Sequence, residues 1–100
     1  MGPISVKELY ARLQQGENLN LLDVREEIEY HTYNIGGQNI PLPKLNDSIG
    51  RLNYNKTDEI IVICKAGIRS ETATLFLEEN GYPGVRNLTG GLMALQKLKH

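Results

Sequence analysis

Cys64 is the one cysteine among 100 residues, so it forms no disulfide within the chain and is either packing or chemistry. It closes the apolar run Ile60-Ile61-Val62-Ile63 and is followed by Lys65-Ala66-Gly67-Ile68-Arg69-Ser70, after which a helical pattern begins. A sulfur between a strand end and a helix start sits where successive loop amides and the positive end of the helix dipole face it. Both favour a thiolate over a thiol. Lys65 and Arg69 add cationic charge, and Gly67 permits a positive φ or a close backbone approach. The segment therefore reads as an anion-binding loop around a nucleophile. From position alone, an inert core cysteine has about equal weight, since free cysteine is among the most buried residue types. The glycine and the two cations shift the balance toward reactivity.

Other chemistry-bearing residues are fewer. Asp23 and Arg25 form a charged pair at the end of a second apolar run, and are read as fixing a loop through local hydrogen bonds rather than as catalytic. His31, between Tyr30 and Tyr33, is read as a solvated surface histidine, and His100 as a purification-tag remnant. Two histidines and one cysteine give no metal-ligand spacing, so neither a metal nor another cofactor is expected.

The elements that must position Cys64 follow from pattern. Ser5-Val6-Lys7-Glu8 has the spacing of a capping box, with Leu9 and Leu13 as an apolar stripe and Gly16 as the stop. Leu19 to Val24 predicts a buried strand with Asp23 and Arg25 at its C-terminal end. Glu26 to Tyr30 predicts a short helix broken by Asn34-Ile35-Gly36-Gly37, and Ile40 before Pro41 a brief extended strand. Leu42 to Ile49 holds a weak helical segment. Glu59 to Cys64 has the composition of a central parallel strand covered on both faces. Lys65 to Arg69 is then a tight loop, Ser70 to Asn80 a helix ended by Gly81, Val85 to Leu88 the last strand, and Leu92 to Leu98 a final helical segment.

This alternation predicts an α/β architecture with a mainly parallel sheet of about four to five short strands flanked by helices on both faces. Ligands of such sheets sit outside the C-terminal strand ends, where Cys64 is placed. One hundred residues suit one domain, expected to span residues 1–100. The hydrophobic share of 40% and charged share of 23% are ordinary for a globular chain. A formal charge of -1 gives no field for nucleic acid or an anionic membrane, so any attraction for an anion must be local. The longest apolar run falls far short of a span of roughly 20 residues. Met1 to Val6 lacks a secretory pattern, and a cytoplasmic location is expected.

Cys64-Lys65-Ala66-Gly67-Ile68-Arg69-Ser70 resembles the active-site loop of the rhodanese family. Leu21-Leu22-Asp23-Val24-Arg25-Glu26 with Glu29-Tyr30 looks like the family's N-terminal signature, and Ile35 to Leu42 like the segment that follows it. Gly81-Tyr82, Val85, Asn87-Leu88 and Gly90-Gly91 resemble its C-terminal signature. The chain departs from the family's usual residues at Tyr33 to Gln38 and at Leu95, outside the cysteine loop.

The resemblance implies a sulfurtransferase. Cys64 would take sulfane sulfur from a small anionic donor such as thiosulfate and hold it as a persulfide. A thiol or a sulfur-carrier protein would then accept it. In that reading the backbone of Lys65, Ala66, Gly67, Ile68, Arg69 and Ser70 builds the substrate cradle, and Lys65 and Arg69 orient the donor. Two alternatives stay open. A related cell-cycle-type phosphatase or arsenate reductase would need a loop one residue longer, with its arginine where Ser70 stands. A non-catalytic binding module would keep the fold and lose the chemistry.

Overall fold

In the computed structural model, which describes residues 2–99, four short parallel strands form one sheet. They are β1 (Leu21–Asp23), β2 (Gln38–Asn39), β3 (Ile60–Ile63) and β4 (Val85–Asn87), in the order β2-β1-β3-β4. Helices α1 (Val6–Gln14), α2 (Glu27–Thr32), α3 (Leu45–Ser48), α4 (Ile68–Glu79) and α5 (Gly91–Lys99) lie before, between and after them. The tag reading of His100 falls outside the described residues.

Side chains of a strand alternate between its faces, so β3 serves two cores at once. Ile60 and Val62 pack with Leu22, Leu45, Ala73, Leu77 and Val85 on the face covered by α3 and α4. Ile61 and Ile63 pack with Leu21, Leu9, Leu88, Leu92 and Leu95 on the face covered by α1 and α5. All four β3 side chains are fully buried, each contributing about 1.5–3 kcal/mol relative to exposure. This is the expected α/β layering, with helices on both faces and a strand count at the low end of the expected range.

Local details differ from the sequence reading in instructive ways. Ser5 Oγ accepts the Glu8 amide at 3.1 Å, but the Glu8 carboxylate turns to Arg86 at 3.1 Å instead of closing the box. A tertiary ion pair outcompetes the local hydrogen bond to backbone. The extended pair before Pro41 forms at Gln38–Asn39, where β1 offers backbone partners. Leu42 to Arg51 becomes two 3-10 turns, Leu42–Lys44 and Ile49–Arg51, flanking one turn of α3. The largest change concerns α4, which begins at Ile68 rather than Ser70 and shortens the cysteine loop to Lys65, Ala66 and Gly67. Gly67 at φ +91° caps the helix start, a backbone state that costs glycine little. Among the described residues no helix is long and apolar enough to cross a membrane.

Candidate active site

Because the strands are parallel, their C-terminal ends gather at one edge, and three residues with polar or reactive side chains arrive there together. Asp23 ends β1, Cys64 follows β3, and Asn87 ends β4. Asp23 pairs in register with Ile63, and Val62 with Asn87, so both flanks of Cys64 are set by sheet pairing.

The start of α5 gives the loop its polarity. The Leu92 amide donates to the Cys64 carbonyl at 3.0 Å and the Met93 amide to the Lys65 carbonyl at 2.9 Å. With those carbonyls drawn toward α5, the amides that follow face the sulfur. Only glycine at position 91 allows this approach, since a Cβ there would lie 2.5 Å from both carbonyl oxygens. The Gly67 amide donates to Cys64 Sγ at 3.0 Å. Ser70 Oγ lies 3.2 Å from the same sulfur. Cys64 itself is only 1% exposed. Burial pushes its thiol up, but the Ser70 hydroxyl and the amides of Ser70, Ala66 and Gly67 outweigh it and hold the pKa below the ordinary thiol value.

Around this cradle a chain of ion pairs ties α2 to α4. Arg25 is buried and donates to the Asp23 carboxylate, from Nη2 at 2.7 Å and from Nε at 3.0 and 3.1 Å. It also donates to the backbone carbonyls of Tyr33 at 2.7 Å and Glu29 at 3.3 Å. Both residues thus act as the loop-fixing pair read from the sequence. The α2 segment so fixed presents the Glu29 carboxylate to Arg69, which grips it with two nitrogens at 2.7 and 3.1 Å. Those bonds, against the opposing effect of burial, hold Glu29 at about 2. The same contact raises the Arg69 pKa, so its guanidinium stays charged.

The six loop residues thus divide. Gly67 and Ser70 contact the sulfur directly, and the Ala66 amide acts on its charge from the same loop. Arg69 sits on α4 with its donors turned to Glu29. Lys65 is exposed and lines a cavity of about 370 Å³, together with Ile28, Tyr33, Leu92 and Met93. Ile68 is 77% exposed and Ile28 70%, giving the site an apolar rim. His31 is exposed, packed edge-on to Tyr30.

Sequence reasoning assigned no role to Asn87. Its Nδ2 donates to the Gly67 carbonyl at 3.2 Å, and its Oδ1 accepts from the Ser70 hydroxyl. The polar Asn87 ending β4 just before the buried Leu88 was the available signal, but nothing local says which loop it faces.

The family described as Rhodanese-like domain matches residues 5–98. The chain is 38% identical over 90 residues to "Putative sulfur carrier protein YrkF" of Bacillus subtilis, covering 89% of this chain and 48% of that protein. The chain spans less than half the length of the first curated relatives it matches. A rhodanese-like domain protein from Staphylococcus aureus superimposes with a TM-score of 0.83 at 28% identity, over 95% of this chain and 91% of its own. The human single-domain sulfurtransferase TSTD1 does so with a TM-score of 0.82 at 27% identity, over 95% of each chain. The chain belongs to the rhodanese-like domain family.

Proposed function

We propose, from that membership, that the chain is a sulfurtransferase that carries sulfane sulfur as a persulfide on Cys64. The carrying observation is the set of amide and hydroxyl groups turned on one buried sulfur at the C-terminal end of β3. Such a cradle stabilises negative charge on sulfur before and after transfer.

In the first step the Cys64 thiolate attacks the outer sulfur of a donor such as thiosulfate. An Sγ–S bond forms, the bond between the two donor sulfurs breaks, and its electron pair leaves with sulfite. In the second step an acceptor nucleophile takes the terminal sulfur, and the Sγ–S electron pair returns to Cys64 as thiolate. Cyanide serves as acceptor in an assay. A thiol or a sulfur-carrier protein is the proposed acceptor in the cell, a reading supported by the relative named as a sulfur carrier. No resolving thiol exists within these 100 residues, so the acceptor lies outside them.

Lys65, exposed in the adjoining cavity, is the residue we assign to attract the anionic donor. Arg69 contributes charge nearby while its hydrogen-bonding edge stays on Glu29. Ser70 stands where a phosphatase of the related type would need arginine, and its hydroxyl lies on the sulfur. That favours sulfur over phosphoryl chemistry. We take residues 1–100 as one domain and a cytoplasmic setting as its working environment.

Intact mass after incubation with thiosulfate tests the proposal. A gain of one sulfur, about 32 Da, reversed by cyanide and absent in Cys64→Ser, is the expected result for covalent catalysis at this thiol. No gain with an unoxidised Cys64, or a gain that persists in the variant, overturns it.

A further inference from the structure

The hydrogen bonds around Ser70 are fixed by elimination. The Gly67 carbonyl can only accept, so the Asn87 group facing it at 3.2 Å must be the amide nitrogen. That places Asn87 Oδ1, which can also only accept, against the Ser70 hydroxyl. A hydroxyl carries one proton, and here it is committed to Asn87. Ser70 therefore turns a lone pair toward Cys64 Sγ, and the contact at 3.2 Å is that of a thiol S–H donating to Ser70.

In this rotamer Ser70 suits the thiol while the loop amides favour the thiolate, and its hydroxyl adds to them only once its proton turns to the sulfur. Once Cys64 loses its proton to solvent, the sulfur has nothing to donate and seeks a donor, and Ser70 has one only by leaving Asn87. When a sulfane sulfur is added, the negative charge moves from Sγ to the terminal sulfur, and the Ser70 proton is free to return to Asn87.

We propose that Asn87 is a positioning residue acting through Ser70, whose single hydroxyl proton swings between Asn87 Oδ1 and Cys64 Sγ as the sulfur changes charge. The switch would supply a donor while Cys64 is the charged nucleophile and withdraw it once the charge has moved to the outer sulfur. Other charged groups near the sulfur are paired across elements or exposed. Arg69 of α4 is held by Glu29 of α2, Asp23 of β1 by Arg25, and Lys65 points to solvent. On β4, Arg86 pairs with Glu8 and Glu59. The α5 residues packed here, Leu92 and Leu95, are apolar.

The inference rests on reading Cys64 as the nucleophile, yet it is tested on thiol ionisation alone, so either can fail without the other. The experiment is the pH dependence of Cys64 alkylation by iodoacetamide in wild type, Asn87→Ala, Ser70→Ala and the double variant. With its competitor removed, the Ser70 proton stabilises the thiolate. Asn87→Ala should move the alkylation midpoint to lower pH and raise the rate below it about fivefold, the factor for losing one ordinary competing hydrogen bond. Ser70→Ala should move the midpoint up, and Asn87→Ala added to it should change nothing further. A midpoint that rises in Asn87→Ala, or moves equally with and without Ser70, overturns the proposal. A second measurement needs no variant at position 87: the side-chain carbonyl carbon of Asn87, followed by NMR, should shift with the Cys64 titration in wild type and stay still in Ser70→Ala. A carbonyl that ignores the titration in wild type is equally contrary.

Discussion

Gly91→Ala offers the sharpest probe of how α5 shapes the cysteine loop. A Cβ there lies 2.5 Å from the Cys64 and Lys65 carbonyl oxygens, and ordinary contact begins near 3.4 Å, so loop and helix must part by about 0.9 Å. That takes the Leu92 and Met93 amide bonds, now 3.0 and 2.9 Å, beyond hydrogen-bonding range. Two such bonds at about 1 kcal/mol each, with about 1–2 kcal/mol for an L-residue held at a left-handed φ, make a loss of roughly 3–4 kcal/mol. For a domain of this size that is a fall in Tm on the order of 12–30 °C. Gly16→Ala separates clash from backbone strain, since Gly16 also has a left-handed φ, +80°, but nothing lies within 4 Å of its would-be Cβ. It should cost only about 1–2 kcal/mol. Calorimetry gives the stabilities, and iodoacetamide alkylation at a temperature where both variants are folded gives the state of the thiol. Gly91→Ala should slow alkylation because the loop amides lose their alignment, while Gly16→Ala should leave it unchanged. Equal destabilisation by the two variants, or unchanged alkylation in Gly91→Ala, would refute the account of loop polarity.

Other expectations concern charge. Asp23→Asn leaves buried Arg25 without its carboxylate and should cost about 3–5 kcal/mol in urea denaturation, a loss under 1 kcal/mol being contrary. Glu59 is held at about 2, below its ordinary 4.5, by hydrogen bonds from Arg12 that outweigh burial, with Arg86 adding to them. A depressed folded pKa means its contribution is complete above about pH 4.5 and is lost as pH falls toward 2. Glu59→Gln should therefore lower stability at neutral pH and flatten the acid limb, and an unchanged acid limb would tell against the pairing. Lys65→Gln should raise the thiosulfate concentration for half-maximal persulfidation about two- to fivefold, the scale of one exposed ionic contact. Arg69→Lys should change it less than about twofold, its pairing charge being kept. The reverse order would return the donor-orienting role to Arg69.

Much of the molecule was legible in order of residues alone. The continuous β-branched run before Cys64 announces a strand buried on both faces, whereas the inner face of α4 was not legible, because it buries Ser70 and Thr74 beside Ala73 and Leu77 and leaves Ile68 and Leu75 exposed. The cysteine loop was legible because its cues, a thiol, a glycine and two cations, are adjacent in sequence. Where α4 starts was less so, because Gly67 as a left-handed cap is a matter of φ and not of residue type alone.

What only the tertiary structure decided is which partner each polar group chooses. Arg69 looked available to an anionic donor until α2 brought Glu29 to it from 40 residues away. Glu8 abandoned its local capping partner for Arg86, which lies 78 residues on. Asn87 gained a role only because parallel pairing of β3 and β4 set it beside Gly67 and Ser70. Short-range pattern encodes burial and backbone preference, since both are set by neighbouring residues. A hydrogen bond or ion pair between distant segments depends on the register of a sheet and the docking of helices, and those exist only once the chain has closed on itself.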